Sequence, residues 1–298
     1  AEKRLKSAQG FFEKSYRTSE LNYMKTIASR GLLYTTTGRF ALADEYTAKA
    51  LQLREEKLGN TNMAVAASLN NYAVLHYNLG KYNESEKEFN DAIAVIKTNK
   101  LQEAMPYAIV LNNQAMLYQS MGNYEAAVKV LLQAMTLSAK LESAKARNQL
   151  KFLSNLALLY QQMGKYAEAE KIYLELDKKL DKGKPEQANM LNNYAILSLL
   201  MKKEDKVESM LKQSTGIYKS SMGESSPAYA KVISDLGNFY RHKARYAEAE
   251  PLLQQALQIR EEVLGTNHPM YVQSQEDLAL LHWKQKDFTT SISLYKTV

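Results

Sequence analysis

Small, aromatic and polar positions return along the chain seven times in one order: a small residue, three positions later an aromatic or histidine, then a turn, an aromatic and another small residue. The turn residue falls at Gly38, Gly80, Gly122, Gly164, Lys202, Ala244 and Lys286, at intervals of 42 residues except for 38 between the fourth and fifth. Self-similarity at such a period predicts a solenoid of stacked units. Seven positions before each turn stand Gly31, Ala73, Ala115, Ala157, Ala195, Gly237 and Ala279, where two helices are expected to touch closely. Two positions after it come Phe40, Tyr82, Tyr124, Tyr166, Glu204, Tyr246 and Phe288, and five after it Ala43, Ser85, Ala127, Ala169, Val207, Ala249 and Ser291. The aromatic is expected to wedge between helices while the small residue admits the partner backbone. Tyr34, His76, Tyr118, Tyr160, Tyr240 and His282 supply a ring on the first helix of each pair. The fifth copy departs most, because Lys202 takes the turn while Glu204 and Ser198 replace both rings. It is the expected weak point.

The segments "LNNYAVLHYNLGKYNESEKEF" and "LSNLALLYQQMGKYAEAEKIY" resemble the tetratricopeptide repeat. The 42-residue unit, with "LREEKLGNTN" and "IREEVLGTNHP" between copies, resembles the kinesin-light-chain subtype. The resemblance covers essentially residues 1–298. It implies an all-α fold: one right-handed superhelical α-solenoid of seven helix pairs over 1–298, with 1–20 as the second helix of a preceding partial repeat. The opening "AEKRL" aligns with "AEKIY" inside a later second helix, and "TTSISLYKTV" stops partway through one, so the chain reads as a fragment of a longer protein.

Hydrophobic content of 45% and charged content of 24% are those of a folded globular protein. No apolar run approaches the length of about 18 residues that spans a bilayer, so a soluble chain without membrane contact is expected. The absence of cysteine excludes disulfides and thiolate metal sites. It leaves the compartment open between cytoplasm, slightly favoured, and periplasm. The net charge of +7 permits acidic partners. Basic and acidic residues are interspersed along helical faces, however, and no recognition motif points to nucleic acid.

In the family the first helices line a concave wall, which is where the resemblance directs a search for function. Nine positions before each turn stand Ser29, Asn71, Asn113, Asn155, Asn193, Asp235 and Asp277. A second row, assigned to the same face one turn further along, comprises Asn70, Asn112, Ser154, Asn192, Ser234 and Glu276. An asparagine side chain both donates and accepts, so a ladder of them can pair with the backbone of an extended peptide. The resemblance assigns such a role to Asn71, Asn113, Asn155 and Asn193. The alternative is that the asparagines bond one another and fix the stacking register. Toward the C-terminus the row becomes charged: Arg241 and His242 with Lys231 suit a carboxylate, whereas Asp235, Glu276 and Asp277 suit a basic side chain.

No catalytic or metal site emerges. His76, His242, His268 and His282 stand in separate copies or loops without ligand spacing, and His76 and His282 occupy the ring position. There is no phosphate loop or nucleophile elbow, and Glu55/Glu56 and Glu261/Glu262 read as solvated surface. The expected function is therefore a non-enzymatic protein- or peptide-binding scaffold without a cofactor. Two alternatives stand beside it. One is a regulatory arm of a larger protein, since bacterial arrays of this type can precede a caspase-like protease domain; the other is a solenoid that self-associates end to end.

Overall fold

In a computed structural model of the chain, which describes residues 1–15, 17, 20–141, 145–266 and 268–296, all seven turn residues adopt the left-handed backbone conformation, with φ from 57° to 75°. Asn267 and residues 297 and 298, which belong to two of the sequence motifs, lie outside the described residues. Each turn closes with the same pair of bonds. The Gly80 amide donates to the Tyr77 carbonyl at 3.1 Å and the Lys81 amide to the His76 carbonyl at 2.9 Å; Lys202 and Lys203 repeat this with Leu199 and Ser198. This pattern satisfies carbonyls that a helix end would otherwise leave open.

The described residues form fifteen helices and no strand: α1 Glu2–Lys14, α2 Leu21–Thr36, α3 Phe40–Leu58, α4 Met63–Asn78, α5 Tyr82–Thr98, α6 Met105–Ser120, α7 Tyr124–Lys140, α8 Lys145–Gln162, α9 Tyr166–Lys179, α10 Pro185–Leu200, α11 Val207–Met222, α12 Pro227–His242, α13 Tyr246–Leu264, α14 Pro269–Lys284 and α15 Phe288–Lys296. Proline opens α6, α10, α12 and α14 within their first two positions, where its missing N–H has no intrahelical partner to lose. Asn62 and Ser226 cap α4 and α12 through their side-chain oxygens. His268 caps α14 with its Nδ1, which accepts from the Met270 amide at 3.1 Å, so this residue starts a helix as well as lying in a turn motif.

Two compact units divide the chain, residues 1–159 and 160–298. Within the first, each helix from α1 to α7 packs on its neighbour in sequence, and the even-numbered α2, α4 and α6 also pack side by side. Within the second, α9 to α15 follow the same rule, with α12 beside α14. This is the arrangement of an α-solenoid.

The small residues sit where the helices meet. Ala43, Ala73, Ala195, Val207, Ala249 and Ala279 are fully buried. A methyl group on Gly31 would stand 3.1 Å from the Thr47 backbone nitrogen, which explains a glycine in mid-helix. Ser85 and Ser291, buried at the matching position of the second helix, donate to the carbonyls of Ala73 and Ala279, each at 2.8 Å. A hydroxyl fits there because its partner is built into the facing helix.

The interval of 38 has a local cause. Helix α9 has 14 residues where α5 and α7 have 17, while α10 keeps the 16 residues of α4 and α6. The shortening thus lies in α9 and the connection that follows it. In the fifth copy itself, α11 begins only at Val207, five residues after the turn rather than two.

Candidate functional site

The two polar rows do not share a face. Neighbouring residues on a helix stand about 100° apart, so the rows are offset around each first helix, and one row meets the other across the seam between helices. In the first unit Asn113 Nδ2 donates to Asn70 Oδ1 at 3.0 Å, and Asn155 Nδ2 to Asn112 Oδ1 at 2.8 Å. In the second, Asn192 Nδ2 donates to Asp235 Oδ2 at 2.7 Å and Ser234 Oγ to Asp277 Oδ2 at 2.9 Å. Every one of these pairs is separated by 43 residues, one period plus one.

The consequences differ from residue to residue. Asn112 is 1% exposed and Asn192 fully buried, so neither presents a free amide on the surface. Asn113 is used at both ends, since its Oδ1 also accepts from Asn112 Nδ2 at 3.3 Å. Asp235 additionally pairs with Lys231 at 3.0 Å. Among the described residues, the side chains of Asn71 and Asn193 have no hydrogen-bond partner. Arg241 is half-buried with its Nε unpartnered; burial pushes its guanidinium below the usual value, opposed by the Asp277 carboxylate. Of the charged C-terminal positions, Lys231, Asp235 and Asp277 are therefore engaged within the chain.

Beside the neutral rows of the first unit a cavity of about 310 Å³ opens between α4, α5 and α6. Its walls are apolar, and Asn70 and Asn71 stand in its lining. Helices α4 and α6 contain no Asp, Glu, Lys or Arg. That neutrality is the only trace of the cavity in the sequence.

The histidines of the ring position are packed. His76 Nδ1 lies 2.9 Å from the Glu88 carboxylate and its ring stacks on Tyr72 at 4.5 Å between centroids. Burial pushes the Glu88 carboxyl up, against the His76 hydrogen bond that lowers it. Among the described residues no group of His, Asp or Glu side chains is arranged to hold a metal ion, and no helix is long and apolar enough to cross a membrane.

Two arginines that sequence reasoning passed over position the walls. Arg54 Nη1 donates to the Ala64 carbonyl and to Ser68 Oγ, both at 2.9 Å, and Arg260 Nη1 to the Met270 carbonyl at 3.0 Å and Ser274 Oγ at 2.5 Å. Each reaches from the end of a second helix into the start of the next first helix, and both are buried. The signal was present as the repeated "REE" of the two connecting segments.

The profile of the tetratricopeptide repeat matches residues 23–98, 106–176 and 229–298, and the chain belongs to that family. Among solved structures, the fold is similar to that of the Rap conjugation gene regulator of plasmid pLS20 in complex with the Phr* peptide, at a TM-score of 0.71 and 15% identity over 96% of this chain and 74% of that one. It is similar to NprR in complex with its cognate peptide NprX, at 0.68 and 15% over 99% and 84%. A putative kinesin light chain of Podosopora anserina with nearly identical TPR-like repeats is similar at 0.52 and 18% over 67% and 96%. No curated protein sequence matches the chain.

Proposed function

We propose that this chain is a non-enzymatic scaffold whose first-helix walls hold an extended segment of another polypeptide. The observation that carries the reading is the open amide of Asn71 on the uncharged wall of α4 and α6, where every neighbouring asparagine of the row is engaged within the chain. Two proteins of similar fold, Rap and NprR, have been solved with peptides bound. In the first unit the row Asn71, Asn113, Asn155 spans two helix-to-helix steps. At about 10 Å per step and about 3.3 Å per extended residue, that length suits a segment of roughly six residues. In the second unit the corresponding Asn193 is buried, and the carboxylates of Asp235 and Asp277 are engaged by Asn192 and Ser234.

Selection of random decapeptides on the immobilised chain tests the proposal. The expected result is an enriched family of sequences that binds the folded chain saturably and competes for one wall. Failure to enrich any sequence over a bare support would overturn it.

The interlocked bonds favour a second role for part of the row. Asn70, Asn112, Asn113 and Asn155 hold adjacent first helices in register, and the ladder is read as both seam and recognition surface.

A further inference from the structure

The cavity beside Asn71 is built in two layers. Its floor is made of side chains removed from solvent, Ala66, Ile96 and Val110, which are 2%, 1% and 3% exposed. Its rim is open: Ala67 is exposed, and Ile109 is 37% exposed, with Pro106 beside it. A floor that is already dry and apolar favours an apolar occupant, because burying a polar group there without a partner costs far more than burying a methyl group. The volume of about 310 Å³ lies at the lower end of ligand cavities, about 300–1,000 Å³, which suits one large side chain better than a whole cofactor. The two helices that form the walls carry no Asp, Glu, Lys or Arg, so nothing at the rim draws in a charged group. At one edge stands the Asn71 amide, within the same lining and without a hydrogen-bond partner among the described residues. A side chain entering from an extended segment brings its own peptide group to this edge, where one amide can donate and accept.

We infer that this cavity is the anchor subsite of the first-unit wall and takes a single uncharged aliphatic side chain, of leucine type, from the bound segment, while Asn71 pairs with the backbone of that same residue. The inference rests on the peptide-binding reading and sharpens it to one position. It commits the partner to an aliphatic residue at that position and assigns no requirement to the others.

The test uses N-acetyl-L-leucinamide as probe, N-acetylglycinamide and N-acetyl-L-aspartamide as controls, and methyl NMR of the whole chain. Leucinamide is expected to shift the methyl signals of Ala66, Ala67, Ile96, Ile109 and Val110 saturably, whereas the glycine and aspartate probes leave them in place. Ala67→Phe, which fills the cavity from its exposed rim, should weaken leucinamide at least tenfold; Asn71→Ala should weaken it severalfold and keep the shifts at Ile109. Shifts scattered over the molecule, no saturation with leucinamide, or equal response to all three probes in the parent chain would overturn the inference whether or not the variants fold. A selected decapeptide that binds without moving these methyl signals would sink the anchor and leave the scaffold standing. If no peptide is selected, the scaffold reading fails, and the leucinamide titration still judges the cavity by itself.

Discussion

A left-handed backbone position is nearly free for glycine and costs another residue about 1 kcal/mol or somewhat more. Four turns use glycine, but Lys202, Ala244 and Lys286 hold the same conformation at φ of 59°, 57° and 67°. The demand comes from the closing bonds of the turn, which are identical in all seven copies. Lys202→Gly should therefore stabilise the second unit by about 1 kcal/mol, seen as slower amide exchange in α10 and α11. Unchanged exchange there would show that the strain is relieved elsewhere in the copy. These turns were legible in the sequence through their period, because three of the seven residues give no turn signal of their own. The asparagine rows were legible as rows but not as partners, since which flank of a helix meets its neighbour depends on how adjacent units stack.

At the scale of helices, the array is held by devices that connect one pair to the next. Arg260 offers two bonds across the α13–α14 connection from a buried guanidinium. Truncating it removes both bonds and leaves the buried Ser274 hydroxyl without this donor, so Arg260→Ala should destabilise the second unit by about 2–4 kcal/mol in denaturant unfolding. An exposed linker arginine would cost close to nothing. A second device joins α11 to the turn before α13, where the Glu208 carboxylate accepts from Arg245 at 2.7 Å and from Tyr240 at 3.0 Å. Hydrogen bonds from Arg245 first and Lys212 second hold the Glu208 carboxyl at about 2, below its ordinary 4.5. A lowered value in the folded state means that the stabilisation is complete above about pH 4.5 and is lost as pH falls toward 2. Solvent screening at this partly exposed site limits it to about 1 kcal/mol. Glu208→Gln should remove that part of the acid limb and leave stability above pH 5 lower by the same amount; an unaltered acid limb would exclude the pair. The helix pairs were readable from the small residues that must touch. The arginine device was not, because an arginine beside two glutamates has the composition of a solvated surface.

For the molecule as a whole, the proposed function gives the first-helix wall two tasks that compete for the same side chains. Amides that bond across the seam join adjacent helices, and under the proposal the amides left open serve a partner. Asn113 belongs to the first group, with bonds to Asn70 and Asn112, and Asn71 to the second. The most direct measurement compares Asn71→Ala with Asn113→Ala, following both the affinity for a selected decapeptide and the unfolding midpoint in denaturant. The expected result is that Asn71→Ala weakens the peptide by about 0.5–1.5 kcal/mol with the midpoint unchanged, while Asn113→Ala lowers stability by about 1–3 kcal/mol. A peptide that binds Asn71→Ala as tightly as the parent chain would contradict the assignment of this wall to peptide recognition.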